Sequence, residues 1–179
     1  MIPACSELVV LALGSNMGNR CSELQAGLEA LAARRDILLQ DVSGVWESTY
    51  VGPGDDQADY FNSCCTLITG LTPQRLLEAV KIIERGRGRA DDAHMQPRLL
   101  DIDILLFGQR IVDDPDLKIP HPRLHERSFV LEPMNEIAPG MRVPDSGETV
   151  RALCEKIRGA EGSGWCRLTD DCLRIPGRG

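Results

Sequence analysis

The sequence predicts an α+β fold of the ferredoxin-like type, an antiparallel sheet in the order βαββαβ with helices on one face and helical additions near the C-terminus. Two segments with helical apolar spacing separate four apolar runs that are typical of strands. Aromatic residues make up only 4% of the 179 residues, so Leu, Ile, Val and Ala must fill the core. We expect one domain at residues 1–160, followed by a tail at 161–179.

The first half of the chain predicts the β-α-β part of this order. Glu7–Leu13 fits a fully buried strand, which Gly14-Ser15-Asn16 ends. Asn19 can cap a helix in which leucines recur at positions 24, 28 and 31. The alternation in Ile37–Trp46 predicts the second strand, and the turn-rich residues 52–57 predict a loop after it.

The second half predicts a strand, a helix and a last strand. Phe61–Thr69 is rich in residues that favour β-structure and is expected to pair with the strand before it. Thr72 and Pro73 fit the N-cap and the first position of a helix that ends near Gly86. Asp101–Phe107 then completes the ferredoxin-like unit.

Further elements are expected after this unit. Ser128–Ile137 and Glu148–Ile157 fit short helices. The glycines in residues 159–164 predict a flexible joint. Trp165–Gly179 is expected either to add an edge strand or to be disordered.

Composition and charge argue against several classes of protein. The formal net charge of −7 argues against general binding to nucleic acid or to an anionic membrane. No segment has the roughly 18 consecutive apolar residues that a membrane span needs. The seven cysteines are odd in number and include no C-x-x-C pair, which favours reduced thiols in a cytoplasmic protein over a disulfide framework or a zinc site.

The last predicted strand carries two carboxylates on one face. Because side chains alternate along a strand, Asp101 and Asp103 point one way while Ile102 and Ile104 point the other. Strand geometry holds such a pair roughly 6–7 Å apart, which is costly beside apolar residues unless a cation lies between the carboxylates. Oxygen ligands of this kind suit Mg²⁺. A bare Asp-x-Asp is more often a solvent-facing strand, but the apolar flanks and the upstream arginines favour a metal site.

Arginines cluster before this pair, at positions 85, 87, 89 and 98. On an acidic protein, a local cluster of this kind predicts a site for a small phosphorylated molecule. Arg98 lies three residues before Asp101 and is placed to hold a phosphate through two hydrogen bonds. Arg87 and Arg89 alternate with glycines in a loop that can close over phosphates, although a solvated basic turn is the plainer alternative.

Gln96–Ile104 as a block resembles the signature of the 6-hydroxymethyl-7,8-dihydropterin pyrophosphokinase family, which serves folate biosynthesis. The resemblance extends over roughly residues 8–157. The other stretches that agree with the family in order and spacing are Leu13–Asn16, Asp59–Asn62, and Pro120-His121 followed by Arg127–Leu131.

The resemblance implies a specific reaction. The hydroxymethyl oxygen of the pterin attacks the β-phosphorus of ATP, so that pyrophosphate moves to the pterin and AMP leaves. Such an enzyme needs little covalent chemistry, and its catalysis rests on positioning and charge stabilisation. Two Mg²⁺ ions that bridge the triphosphate fit Asp101 and Asp103 as metal ligands, and one ion can polarise the attacking hydroxyl. The residues implied to be catalytic are Arg87, Arg89, Asp101 and Asp103.

The resemblance also implies which residues bind ATP. They are Glu84, Arg87, Arg89, Arg98, Ile104, His121 and Arg127. Taken alone, a histidine such as His121 is more often a structural hydrogen-bonding residue than a ligand. It lies four residues before His125, but Pro122 interrupts any helix between them and no third soft ligand is near, so the sequence argues against zinc.

For the pterin, the resemblance implies a flat slot with an amide at its edge. The implied residues are Gly14, Asn16, Ser48, Thr49, Val51, Tyr60, Asn62, Met95 and Phe129. Tyr60 and Phe129 can supply two ring faces, although either could equally be an ordinary core aromatic. The side-chain amide of Asn62 can both donate to and accept from the aminopyrimidinone edge.

Two stretches depart from the family pattern. Relatives carry Thr-Pro where this chain has Ser48-Thr49, which bears on the rigidity of that loop. Relatives often carry Arg-Trp-Gly where this chain has His94-Met95-Gln96. The tryptophan that would cover the pterin is therefore replaced by a flexible methionine, and the lid is expected to close less tightly.

Two other classes of function compete with this reading. A nucleotidyltransferase of the polymerase-β type also combines Gly-Ser with Asp-x-Asp, but Ser15 and Asp101 are 86 residues apart here. A non-catalytic ferredoxin-like binding domain gives no reason for paired acids on an apolar strand. We expect a monomer whose partners are ATP and the pterin, with no nucleic acid and no membrane.

Overall fold

The computed structural model describes residues 6–50, 57–88, 98–158 and 166–177. The helices and strands in chain order are β1 (Glu7–Ser15), α1 (Arg20–Ala32), β2 (Ile37–Val42), β3 (Trp46–Ser48), β4 (Tyr60–Thr69), α2 (Pro73–Gly86), β5 (Asp101–Phe107), β6 (Val112–Asp114), β7 (Leu117–Ile119), a 3-10 turn (Leu124–Glu126), α3 (Ser128–Ile137), α4 (Val150–Arg158) and β8 (Cys166–Leu168).

One antiparallel sheet positions the site. β1 lies between β4 and β5, and β8 pairs with the outer side of β3. β2 and β3 both pair with β4, β2 along the half that ends at Thr69 and β3 along the half that starts at Tyr60. The predicted ferredoxin-like antiparallel arrangement is confirmed.

Helices cover the two faces of the sheet unequally. The leucines of α1 at 24, 28 and 31 pack with Leu76 and Val80 of α2 on one face. α3 and α4 are the C-terminal additions, and they cover only part of the opposite face, where Leu131 and Met134 are buried. The neighbouring cysteines 64 and 65 of β4 are buried on opposite faces. The end of the sheet beyond α3 therefore stays open.

The strand predicted over Ile37–Trp46 is in fact two strands. Between them, Ser43 Oγ accepts a hydrogen bond from the Cys64 N–H at 2.9 Å and lies 3.0 Å from Ser63 Oγ. A side chain thus replaces part of the backbone ladder at this point. The break makes β3 a separate strand of three residues that ends at the site.

The remaining elements lie close to their predicted positions. The helix Ser128–Ile137 is confirmed, and the helix predicted over Glu148–Ile157 runs from Val150 to Arg158. The hairpin of β6 and β7 was not predicted, because its strands are only three residues long and partly charged. The tail contributes β8 at the sheet edge, while the joint predicted at 159–164 lies outside the described residues. In the described ranges, no helix has the length and apolar character needed to span a membrane.

Candidate active site

A cavity of about 180 Å³ opens at the end of the sheet where β1, β4 and β5 meet. Gly14 on β1 is the register partner of Asn62 on β4 and of Asp101 on β5. Partners in register share a face, so three strands contribute to one surface. The other predicted residues that line the cavity are Ser48, Thr49, Tyr60, Arg98, Asp103, Arg127 and Phe129. Some of the residues predicted for the metal, for the phosphates and for the pterin therefore meet in one place.

The two carboxylates of β5 face this cavity. The side chains of Asp101 and Asp103 are 25% and 40% exposed, while Ile102 and Ile104 between and after them are buried in the core. An Arg98 Nη1 lies 2.5 Å from Asp101 Oδ1. The donor set that faces the cavity consists of oxygens with an adjacent cation, which suits Mg²⁺ and a phosphate rather than a soft metal.

Asn16 holds the backbone that leads into β5. Its Oδ1 accepts from the Arg98 N–H at 2.7 Å, and its own N–H donates to the Arg98 carbonyl at 3.1 Å. Its side-chain amide also donates to Gln57 Oε1 at 3.1 Å. These contacts make the buried Asn16 a support for Arg98, and its predicted contact with the pterin stays a prediction.

Glu84 also supports β5 from behind. It lies in the last turn of α2, is only 2% exposed, and its Oε1 accepts from the Ile102 N–H at 2.8 Å. That N–H belongs to the residue between the two aspartates. Glu84 thus supports the strand that carries the two predicted metal ligands, and its contact with nucleotide stays a prediction.

Arg123 and Arg127 also line the cavity, and His121 lies beside Asp103. His121 Nε2 lies 3.8 Å from Asp103 Oδ2, and His121 Nδ1 accepts from the Arg123 N–H at 3.2 Å. Burial, together with the charges of Arg127 and Arg123, lowers the pKa of His121 to about 4. The ring is therefore neutral at pH 7, and because Nδ1 is an acceptor the proton is on Nε2.

Arg127 has an unusual environment for a cation. Burial, followed by the charge of Arg123, lowers its pKa from the usual arginine value. Its guanidinium lies 5.6 Å from the centre of the Phe129 ring. Within the described part of the chain, the buried Nε of Arg127 has no hydrogen-bond acceptor. A phosphate oxygen in the cavity would supply the acceptor that this donor lacks.

Aromatic rings and an amide form the other half of the cavity. The Tyr60 ring lies 6.2 Å from the Tyr50 ring, with 22° between their planes. Both hydrogens of the Asn62 amide are used within the protein, on Ser48 Oγ at 2.9 Å and the Trp46 carbonyl at 3.2 Å. In this arrangement Oδ1 is the group of Asn62 left to accept from a ligand, and its role as a donor to the pterin stays a prediction.

Gly14 forms the floor beneath these groups. A Cβ at Gly14 would lie 3.6 Å from the Tyr60 ring and 3.8 Å from Asn62 Oδ1. A larger side chain would extend from that position into the space beside both groups. The glycine therefore keeps the slot open for a flat ring.

Some predicted residues lie elsewhere. Arg87 ends α2 and forms an ion pair with Glu23 of α1, with 2.8 Å between Nε and Oε2. The Ile104 side chain is buried on the α1 and α2 face, so only its backbone is left to contact nucleotide. The positions that lie outside the described residues are Val51, Arg89 and Met95.

Five residues that line the cavity were not among the predicted site residues, namely Ala12, Leu13, Tyr50, Arg123 and Val130. Tyr50 stacks on Tyr60, and Arg123 holds the His121 ring. Tyr50 follows Ser48 by two residues, a spacing that could have placed it on the same side of an extended chain. No local signal identifies Arg123, because its role depends on the path of the chain after β7.

The position of Ser15 in the structure also argues against the polymerase-β alternative. The separation of Ser15 and Asp101 in the sequence does not by itself exclude that alternative, because Gly14, next to Ser15, is the register partner of Asp101. Ser15, however, is completely buried, and its Oγ donates to the Met17 carbonyl at 3.4 Å. A buried serine on the opposite side of β1 cannot contact a nucleotide at Asp101.

Similarity to known proteins agrees with this arrangement. A family model described as 7,8-dihydro-6-hydroxymethylpterin-pyrophosphokinase (HPPK) matches residues 10–139. The chain belongs to this family. The family recognised from the motifs is thus confirmed, and α4 and β8 lie beyond the part that the HPPK model matches.

Two HPPK relatives show how far the similarity extends. The 2-amino-4-hydroxy-6-hydroxymethyldihydropteridine pyrophosphokinase of Pseudomonas aeruginosa is 42% identical over 137 residues, which cover 76% of this chain and 84% of that protein. The enzyme of the same name from Synechocystis is 38% identical over 148 residues, with 83% of this chain and 75% of that protein covered.

Solved structures show the same fold. A crystal structure of wild-type Plasmodium falciparum HPPK-DHPS with SDX-DHP has a TM-score of 0.66 at 16% identity, over 84% of this chain. Another HPPK-DHPS crystal structure, in complex with substrates, has a TM-score of 0.63 at 15% identity over the same share. This chain spans only 44% and 43% of those longer chains.

Proposed function

We propose that this HPPK-family enzyme transfers pyrophosphate from ATP to the hydroxymethyl group of 6-hydroxymethyl-7,8-dihydropterin, giving the pterin diphosphate and AMP in folate biosynthesis. The observation that carries the proposal is that one cavity joins an aromatic and amide slot to two carboxylates and several cationic groups. A flat heterocycle in the slot would hold its hydroxymethyl group toward the phosphates. The main contribution of the protein is then to hold two substrates in a reactive arrangement.

The pterin half of the cavity suits a flat ring that offers a hydrogen-bond donor. Asn62 Oδ1 is left as an acceptor, which matches the exocyclic amino group or a ring N–H of a pterin. Tyr60 and Phe129 line the same cavity and provide apolar surface for stacking. Ser48 Oγ fixes the Asn62 amide, so the direction of this acceptor is set before substrate binds.

The phosphate half of the cavity offers both charged and neutral hydrogen-bond donors. Arg98 and Arg127 provide guanidinium groups on two sides of the cavity, and Arg127 Nε is buried with no acceptor from the described residues. His121 is neutral and holds its proton on Nε2, so it can donate one hydrogen bond to a phosphate oxygen without adding charge. Donors fixed in this way stabilise the charge that shifts between the phosphates during transfer.

Asp101 and Asp103 are the residues that would hold Mg²⁺. Their carboxylates share a face, remain partly exposed to the cavity, and offer only oxygen to a metal. When bound, Mg²⁺ supplies charge neutralisation for the triphosphate and polarisation of the attacking hydroxyl. That two ions bind, as the family resemblance implies, is part of the proposal.

Product analysis tests the reaction. The chain is incubated with ATP, Mg²⁺ and 6-hydroxymethyl-7,8-dihydropterin, and the adenine nucleotides are separated by chromatography. We expect AMP in proportion to pterin consumed and none when the pterin is omitted. ADP as the product would show transfer of a single phosphoryl group and would contradict the proposal, and a parallel titration of MgCl₂ after chelation shows whether turnover needs the metal.

The proposal also includes the cellular compartment and the oligomeric state of the enzyme. All six cysteines in the described part of the chain are free thiols, which agrees with a reducing compartment such as the cytoplasm. We expect the enzyme to act there as a monomer on its two small-molecule substrates. Sedimentation at the concentrations used for the assay tests the oligomeric state.

A further inference from the structure

β3 carries part of the proposed pterin slot although it is only three residues long. Ser48 at its end accepts the Asn62 hydrogen bond, and Thr49 and Tyr50 line the cavity directly after it. β4 pairs with one side of β3, and β8 pairs with the other. So short a strand depends on its neighbours for its position.

Glu47 lies at the middle of β3, on the face opposite the slot. Its side chain is only 13% exposed and bridges two arginines. Oε1 accepts from Arg20 Nη2 at 3.1 Å, and Oε2 accepts from Arg167 of β8 at 2.6 Å. The hydrogen bond from Arg167 in particular, and the one from Arg20, lower the pKa of Glu47 despite its burial.

Arg20 extends this connection to the start of β4. It is the first residue of α1, and its Nη1 donates to the Asp59 carbonyl at 2.6 Å. Its guanidinium also lies 3.7 Å from the centre of the Phe61 ring. Asp59 and Phe61 flank Tyr60 in the chain, so Arg20 contacts the residues on both sides of a slot residue, the backbone of one and the ring of the other.

The segment after β8 is anchored to the rest of the protein. The Thr169 N–H donates to the Val45 carbonyl at 2.9 Å, directly before β3. Gln25 of α1 and Arg174 exchange two hydrogen bonds, from the Gln25 amide to the Arg174 carbonyl at 3.2 Å and from the Arg174 N–H to Gln25 Oε1 at 3.0 Å. Leu173 is buried in the core. β8 is therefore held firmly against the rest of the protein, and the contact of Arg167 with Glu47 joins β8 to β3.

We propose that Glu47 is a positioning residue for pterin binding, which aligns the Ser48 and Tyr60 ends of the slot by joining α1 and the C-terminal strand β8 to β3. This inference rests on the proposed function, since it concerns the pterin slot. It assigns a role in substrate binding to β8, which lies beyond the region that the family model matches.

Charge-matched variants test the role of Glu47. Glu47→Gln places an amide N–H₂ against one of two guanidinium groups, while Glu78→Gln removes the same charge from an exposed pair with Arg75 on α2. Binding of 6-hydroxymethylpterin in the presence of α,β-methylene-ATP is measured by calorimetry, together with binding of the nucleotide analogue alone. We expect Glu47→Gln to weaken pterin binding by about tenfold and nucleotide binding by less than about twofold. Glu78→Gln should change neither.

A second pair of variants tests the contribution of β8. Arg167→Ala should raise the pterin Kd in the same direction as Glu47→Gln, and Arg75→Ala should leave it unchanged. Arg167→Lys should restore part of the affinity, because lysine keeps a charged donor opposite Glu47. The thermal midpoint of each variant is measured alongside.

The results separate positioning from general stability. If Glu47→Gln and Arg167→Ala bind pterin as well as their controls do, the inference is wrong. Equal losses of pterin and nucleotide affinity with a lower thermal midpoint would show that Glu47 only stabilises the fold, and would overturn the inference as well. Production of AMP by the wild-type chain supports the proposed function whichever way these variants behave, so the two proposals fail separately.

Discussion

Glu84 Oε1 and the Ile102 N–H are joined by a 2.8 Å hydrogen bond behind the proposed metal site. β5 is the edge strand of the sheet, with β1 as its neighbour. The Glu84 side chain of α2 therefore supplies the hydrogen-bond acceptor for the Ile102 N–H that the backbone of a further strand would otherwise supply. This contact fixes the backbone between the two aspartates without exposing it to water.

The first prediction concerns this contact. Glu84→Ala leaves a buried backbone donor without that acceptor, so we expect a loss of about 1–3 kcal/mol in the free energy of unfolding. Glu84→Gln retains a carbonyl oxygen at the same position and should lose less. Urea denaturation measures both, and equal losses for the two variants would show that the charge of Glu84, rather than its hydrogen bond to Ile102, is what matters.

The features that the sequence predicts well are those determined by neighbouring residues. The alternation of Asp101 to Ile104 is a local pattern, and the structure places the two carboxylates on one face and the two isoleucines on the other. The caps of both early helices are local as well, and the structure shows Asn19 and Thr72 accepting hydrogen bonds from their own first turns. Such elements depend little on distant parts of the chain.

The features that the sequence could not predict depend on contacts between distant residues. The break after β2 follows from Ser43 meeting Cys64, which lies 21 residues later. The donor groups of Asn62 are used because β3 brings the Trp46 carbonyl beside them. The pairing of Arg87 with Glu23 needs α1 and α2 to lie side by side. Periodicity and motif spacing carry no information about these distances.

The second prediction separates the two aspartates. Asp101→Ala and Asp103→Ala should each reduce turnover to background, because each removes an oxygen ligand for Mg²⁺. Their effects on stability should differ. Asp101 pairs with the half-buried Arg98 at 2.5 Å, so its loss should cost about 1–2 kcal/mol, whereas loss of the more exposed Asp103 should cost less. An active Asp103→Ala enzyme would contradict the proposed metal site, and thermal unfolding tests the difference in stability.

The third prediction concerns the aromatic residues. Tyr60→Ala and Phe129→Ala should each weaken pterin binding, by on the order of tenfold for the loss of one stacked ring. Nucleotide binding should be unchanged, because the phosphate donors are on other residues. Titration with each ligand separately checks this. Parallel losses of both affinities would show that the rings are structural core rather than walls of the slot.

The fourth prediction concerns the resting contact of Arg87. If Arg87 acts on the phosphates, it must leave Glu23, with which it forms two hydrogen bonds. Arg87→Ala should then lower kcat by on the order of 10²-fold, the usual effect of losing a donor to transition-state charge. Glu23→Gln should leave kcat unchanged or raise it, since it weakens only the resting pair. A comparable fall in kcat for both variants would instead show that the Arg87 contact with α1 is what turnover requires.

The last prediction concerns the dependence of stability on pH. His121 has its pKa lowered to about 4, chiefly by burial and then by Arg127 and Arg123, while an unfolded chain has a histidine pKa near 6.5. Between these values the unfolded chain binds a proton that the folded chain does not, so stability falls as the pH drops from about 6.5 to about 4. Above about pH 6.5 this contribution is fully present.

His121→Gln should remove this contribution, because glutamine stays neutral in both states. Urea denaturation from pH 7.5 to pH 4.5 should show a shallower loss of stability for this variant than for the wild type, by up to about 3 kcal/mol at the acid end. His125→Gln is the matched control, since His125 lies nearer the surface and pairs with Asp145 at 3.0 Å. A slope for His121→Gln equal to that of the wild type would show that His121 is not held neutral in the folded enzyme, and that it cannot donate to a phosphate as a neutral group.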